Sequence, residues 1–293
     1  MRSPIIRVLA PNPGPFTLEG TNTWIVGVNH TFVIDPGPDD EGHLDAVRRE
    51  AGSIEAILLT HRHPDHAPGA PRLASMSGAP VLAFRPEEGE HRLRDGEVLE
   101  AGGMTLRVVH APGHTQDHVV FHDPFSGSLF TGDAVLGRGT SIVDPPDGDM
   151  SAYMRTLSAM LSLSPRVIYP GHGPVVWSAV AKLEEYVQHR KEREEQVLGG
   201  LRDGNETPEA LVQAIYSDYP PDLYPAATRS VLAHLLKLER EGRVERAGSP
   251  REARFRVSTP HACSRCGRPA RQGSSLCPQC SLEILQERPS SAT

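Results

Sequence analysis

The sequence predicts an α/β protein with a small C-terminal appendage, and three observations carry that expectation. Up to about residue 175, short apolar runs alternate with Gly- and Pro-rich turns and a few segments of helical spacing. Five of those runs, "VIDPG", "ILLTH", "APGH", "LFTGD" and "YPGHG", finish in His or Asp. From Thr207 the pattern changes to helix, helix and ribbon.

Length and composition set the frame. The chain has 293 residues, 38% of them hydrophobic, with 27 Gly and a formal charge of −7. That is a globular composition with room for one large domain or a few small ones. No stretch approaches the roughly 20 uninterrupted apolar residues that a membrane span needs. The opening "MRSPIIRVLAPNPGP" places charges and prolines where a signal peptide keeps its apolar core. A cytoplasmic protein with no membrane partner is therefore expected; the oligomeric state is not legible. Charge is uneven: between Arg240 and Arg271, nine arginines face three acidic residues. A basic C-terminal surface on an acidic body suits a phosphate backbone, and an Arg-rich solvated face is the plain alternative.

Taken in order, "TWIVGVNHTFVID" reads as two strands around a tight turn near Asn29. "DEGHLDAVRREAG" has helical spacing with Gly52 as its stop. Further strands are "IEAILLT", "APVLAF", "MTLRVVHAP", "HVVFHD", "GSLFTGD" and "RVIYPG". "DMSAYMRTLSAMLSL" is a helix with Met150, Tyr153, Met154, Leu157 and Leu161 on one face. The charged helix "AVAKLEEYVQHRKEREEQVLGGL" follows and is expected to cap the core. "TPEALVQAIYSDY" begins with a Thr cap and Pro at the first helical position. "ATRSVLAHLLKLEREG" stops at Gly242, and "RVERAGSPREARFRV" reads as a two-stranded ribbon. Together these last three suggest a small winged-helix module.

The stretch "THRHPDH", residues 60–66, crowds three histidines and an aspartate onto the end of an apolar run. Imidazoles and carboxylates are among the ligands zinc prefers. In extended geometry His61 and His63 point the same way, while Asp65 and His66 follow Pro64, where the chain must turn. One metal could not readily use all four. Two could, with His114, Asp133 and His172 completing the set and Asp133 able to bridge. A His-rich solvated loop is the bland alternative. His118 suits a supporting or substrate-facing role, or a buried structural one. Asn22 and Thr23 are candidates for the site mouth or for simple strand packing. His30, His43, His91, His110 and His122 read as structural or surface residues.

In order and spacing these motifs resemble the metallo-β-lactamase superfamily over roughly residues 5 to 190. The resemblance implies an αββα sandwich with metals at one edge. It places the first metal on His61, His63 and His114, and the second on Asp65, His66 and His172. Asp133 would lie between them, and Asp35 would orient a ligand or loop. The expected reaction is hydrolysis by a hydroxide shared between two cations, with Asp65 orienting the water or carrying its proton. Zinc, manganese and iron all suit such ligands. "FTLEGTNTWIVG", "FTGDAVLGRGTSIV", "YPGHGPVV" and "YVQHRKEREEQVL", followed by a winged helix, are similar to the β-lactamase-like protein 2 family. Its characterised animal members are mitochondrial endoribonucleases acting on single-stranded RNA. This chain is expected to depart from them in lacking a transit peptide, and it departs in its four-cysteine tail. A glyoxalase II-like thioesterase and a non-catalytic nucleic-acid-binding adaptor are the alternatives.

All four cysteines sit in that tail, as Cys263-x2-Cys266 and Cys277-x2-Cys280. Two such knuckles are what one closed structural zinc site needs, giving a zinc-ribbon-like segment, with disulfides or a rubredoxin-like iron site as the alternatives. The expected divisions are 1–195 for the hydrolase domain and 196–258 for the winged helix. Residues 259–284 form the zinc knuckle, and 285–293 a disordered tail.

Overall fold

The computed structural model of the chain describes residues 4–218, 220–249, 253–258, 265–266 and 279–280. The first sheet contains β1 (Ile5–Leu9), β2 (Asn22–Val26), β3 (His30–Ile34), β4 (Ser53–Leu58), β5 (Val81–Ala83) and β6 (His91–Arg92), paired in that order. Helices α1 (Glu41–Ala51) and α2 (Ala70–Ser77) lie in its crossovers. The second sheet runs β11-β10-β9-β8-β7, from β7 (Val98–Ala101), β8 (Met104–His110), β9 (Val119–Asp123), β10 (Ser128–Gly132) and β11 (Val167–Pro170). Helix α3 (Met150–Ser162) precedes β11, and α4 (Ala179–Arg202) follows it. Then come α5 (Pro208–Ile215), α6 (Tyr224–Arg240), β12 (Val244–Ala247) and β13 (Arg254–Val257), the last two paired as an antiparallel ribbon.

The central strands read as unbroken apolar runs because both of their faces are covered. In β3, Phe32 and Ile34 turn inward to meet Val108, Phe121 and Phe130 of the facing sheet. Val33, between them, packs outward with Leu44, Val47 and Leu73 of the first helical layer. In the second sheet Val120 and Leu129 face outward to Tyr153, Leu157, Leu183 and Tyr186. Helices, sheet, sheet and helices thus form the four-layered sandwich, and α4 caps the core as its sequence suggested. The turn near Asn29 is present, with that residue at φ +66, and Gly52 ends α1 at φ +71. Thr207 caps α5 by accepting from the Ala210 N–H.

Two features go beyond the sequence reading. Helix α4 crosses residue 195 without a break, so the expected boundary between 195 and 196 falls inside it. Its first half contributes Leu183 and Tyr186 to the sandwich, and its second half contributes Val197, Leu198 and Leu201 to the core shared with α5, α6 and the ribbon. Five of the described arginines of the C-terminal part also find acidic partners. Arg240 pairs with Asp149, Arg243 with Glu194 and Glu195, Arg246 with Glu239, and Arg254 and Arg256 with Glu206. The counter-charges come from elsewhere in the chain, so local composition overstates the positive field of this face. Cys263, Cys277 and the tail 285–293 lie outside the described residues. Cys266 and Cys280 are described, the first exposed and the second buried. No helix among the described residues is long and apolar enough to cross a membrane.

Candidate metal centre

The five strand-end motifs converge on one edge of the sandwich. β3 delivers Asp35, the turn after β4 delivers residues 60–66, the turn after β8 delivers His114, β10 delivers Asp133, and β11 delivers His172. All seven expected ligands are brought together. His61, His63, His114 and Asp133 form one group, and Asp65, His66, Asp133 and His172 form a second. Asp133 belongs to both.

Within the first group, His61 Nε2 and His114 Nε2 each lie 3.0 Å from His63 Nδ1. In the second, His66 Nε2 is 3.2 Å from His172 Nε2, which is 3.0 Å from Asp65 Oδ2. Four donors about 2.0–2.1 Å from a tetrahedral zinc are spaced by about 3.4 Å, so these separations match a ligand shell.

The far nitrogen of most rings settles which way its lone pair points. Thr60 donates its hydroxyl to Asp35 Oδ2 at 2.6 Å, so at 3.0 Å its oxygen accepts from His61 Nδ1–H. His114 Nδ1–H donates to the Ile142 carbonyl at 2.7 Å, and His172 Nδ1–H to the Gly20 carbonyl at 3.2 Å. His66 Nδ1–H donates to Asp35 Oδ2 at 2.9 Å. Each of these four rings then turns a bare Nε2 lone pair inward, and bare lone pairs cannot hydrogen-bond one another. The buried Asp133 Oδ1 likewise lies 3.3 Å from Nε2 of both His66 and His172 without a formed hydrogen bond to either. An inward ring of lone pairs and carboxylate oxygens calls for positive charge. The His/Asp cluster is thus compatible with a dinuclear site, zinc or iron by its chemistry.

Without cations, protons take that role. Burial opposes charge on His66, yet the Asp133 and Asp35 carboxylates hold its pKa well above the usual imidazole range. Burial also opposes charge on His172, but the Asp133 and Asp65 carboxylates beside it raise its pKa to about 9. Burial would raise Asp133, but His66 and then His172 hold it well below the carboxylate range. Burial drives His61 well down, with His66 and His118 adding repulsion. In the metal-free protein, the protonated form of His172 contributes stability that is complete below pH 6.5 and lost as pH rises through about 9. Cation uptake displaces that proton and the one His66 holds, so apparent cation affinity should rise at least tenfold per pH unit between those limits. Zinc titrations across pH 6.5 to 9 check this, and a flat profile would contradict it.

Support comes from residues that sequence reasoning weighed lightly or missed. Asp35, expected as an orienting group, accepts from the Thr60 N–H at 2.8 Å as well as from Thr60 Oγ1 and His66. It adopts φ +50, a left-handed conformation that Asp tolerates better than most residues. His118 is fully buried, stacks on His61 with ring centroids 4.9 Å apart, and accepts from the Asp133 N–H at 3.2 Å. Asn22 donates to the carbonyls of Pro170 and Gly173, pinning the turn that carries His172. Thr23 faces His43 at 3.0 Å, away from the ligands. Thr60, Ser141 and the carbonyls of Gly20 and Ile142 went unnoticed in the sequence. The motif glycine Gly171 leaves room for the ligands: a methyl there would meet Asp133 Oδ1 and His66 Cε1 at 2.7 Å.

The family model described as "Metallo-beta-lactamase superfamily" matches residues 16–93 and 79–172. The chain belongs to the metallo-beta-lactamase superfamily. A second model, "Beta-lactamase associated winged helix domain", matches residues 207–254. Superfamily members are generally metal-dependent hydrolases, and this chain is such a hydrolase by fold and ligand set. Over 285 residues it is 36% identical to the "Beta-lactamase-like protein 2 homolog" of Drosophila melanogaster, spanning 89% of this chain and 96% of the relative. An "Atrochrysone carboxyl ACP thioesterase" of Aspergillus chevalieri is 34% identical, with 82% of each chain covered. Among solved structures, a metallo-beta-lactamase family protein of Thermus thermophilus shares 26% identity and a TM-score of 0.74, covering 87% of this chain and 99% of that one.

Proposed function

We propose that this superfamily hydrolase is a phosphodiesterase cutting single-stranded RNA at a dinuclear centre. The observation that carries the hydrolase assignment is the meeting of two ligand groups on one shared carboxylate, Asp133. RNA as substrate is supported by the likeness to the β-lactamase-like protein 2 homologue, which extends through the winged helix. Two cations bound there would supply Lewis acidity and a water acidic enough to act as nucleophile near neutral pH. The chain's own residues hold that chemistry in place. Asp65 and His63 are the partly exposed members of the cluster, while His61, His66 and His172 are buried. Asp65 therefore faces arriving substrate and water, and one oxygen is held 3.0 Å from His172 Nε2. It is the group placed to orient a water and take its proton. Asp133, fixed through its own N–H by His118, keeps its charge where the two ligand groups meet.

A thioester substrate is the second reading, and two observations favour it. One relative is named a thioesterase, and the ion-paired arginines weaken the case for an RNA-holding face. A panel of single-stranded RNA, acyl thioesters, lactones and β-lactams, assayed with zinc, manganese or iron, separates them. The expected result is cation-dependent RNA cleavage that a chelator abolishes. Thioester turnover exceeding RNA cleavage tenfold would replace RNA with the second reading.

A further inference from the structure

Helix α4 carries a buried cation whose task the fold alone does not explain. Arg190 is 3% exposed, and its Nε has no hydrogen-bond partner. Its guanidinium lies 5.2 Å from the centroid of the Tyr153 ring and donates to the Ser141 carbonyl. Among the described residues no carboxylate forms an ion pair with it. A buried charge without a carboxylate is costly, so what it holds is worth asking.

What it holds is the peptide beside His114. The Ser141 carbonyl precedes the Ile142 carbonyl, which accepts from His114 Nδ1–H at 2.7 Å, and Ser141 Oγ lies 3.3 Å from the same nitrogen. The rest of this loop is also pinned from the helical layer. Tyr153 donates to the Ala134 carbonyl at 2.6 Å, and Tyr186 accepts from the Leu136 N–H at 2.9 Å. His66 and His172 take their supporting oxygens from Asp35 and Gly20, in the first sheet and its leading loop. Only His114, among these rings, is supported through the loop on which α4 bears.

We propose that Arg190 is a positioning residue for the first ligand group: by fixing the Ser141–Ile142 peptide it fixes the tautomer and aim of His114. The proposal rests on the cluster being a cation site, and not on which ester is cleaved. It ties the His114 ring to the helix that leads into the winged helix, whereas the His66 and His172 rings take their support from Asp35 and Gly20.

The test is cobalt titration followed by visible absorption, in two backgrounds of the full-length chain. His172→Ala leaves the first ligand group intact, and His63→Ala leaves the second. Arg190→Met should weaken cobalt binding at least tenfold in the His172→Ala background and by less than twofold in the His63→Ala background. An outer partner of a ligand typically contributes 10–100-fold in metal affinity. Arg190→Lys, which keeps a charged donor, should recover affinity to within threefold. Equal losses in both backgrounds, no loss in either, or a lysine variant as weak as the methionine one would overturn the proposal. Should Arg190→Met fail to fold, Arg190→Gln takes its place with the same outcomes. A parent protein that binds no cobalt in either background removes the cation site itself, a failure distinct from those.

Discussion

Replacing Asp133 by alanine is expected to reduce hydrolysis by on the order of 10³-fold or more, beyond the 10–100-fold typical of an outer-shell partner. The reason is its double membership: one side chain serves both ligand groups. Oδ1 lies 3.3 Å from His66 and His172 Nε2, and Oδ2 is 3.8 Å from His114 Nε2. Cation content should fall from two to one or fewer per chain. The variant should also lose much of the pH dependence of metal uptake, because Asp133 is a principal cause of the raised His172 pKa. Metal analysis, circular dichroism and initial rates together decide the matter. A folded variant with two cations and an unchanged rate would remove Asp133 from the centre.

The second large effect is on stability. Gly113 adopts φ +142 and packs against the first turn of α3, where an added Cβ would overlap the backbone of Tyr153. Its carbonyl also accepts from the N–H of Asp149, the residue that caps α3. Alanine there meets a backbone that cannot rotate out of the way and a conformation that L-residues avoid. Overpacking costs about 1–3 kcal/mol and such a backbone conformation a similar amount. Gly113→Ala should therefore lose roughly 3 kcal/mol or more in urea unfolding and displace His114, its neighbour, from the first ligand group. An unfolding midpoint equal to that of the wild type would show that α3 can retreat, and the packing account would fall.

What could be read from the sequence follows from how residue type encodes position. Strands such as "TFVID" and "HVVFHD" announce themselves because both faces are buried. The seven candidate ligands stand out because imidazole and carboxylate at strand ends are otherwise costly to bury. The supporting shell is less legible. Two of its members, the Gly20 and Ile142 carbonyls, are backbone groups that any residue offers. Thr60 looks like any strand-end threonine until Asp35 is brought beside it from 25 positions away. Strands β1 and β7 are partly exposed, both residues of β6 are exposed, and α2 has eight residues with only Ala70 and Leu73 buried, so their periodicity is too weak to read. The basic C-terminal face shows the converse. Composition counts Arg254 and Arg256, but not Glu206, some fifty positions earlier, which meets both.

Helix α4 gives the molecule a shared spine. Because Leu183 and Tyr186 seal the sandwich while Val197 and Leu201 seal the C-terminal core, neither hydrophobic core is complete without the same helix. Heat or denaturant should therefore dissolve both together in one cooperative transition, and a cut at residue 195 would sever that helix midway, leaving each core to rest on a shortened piece of it.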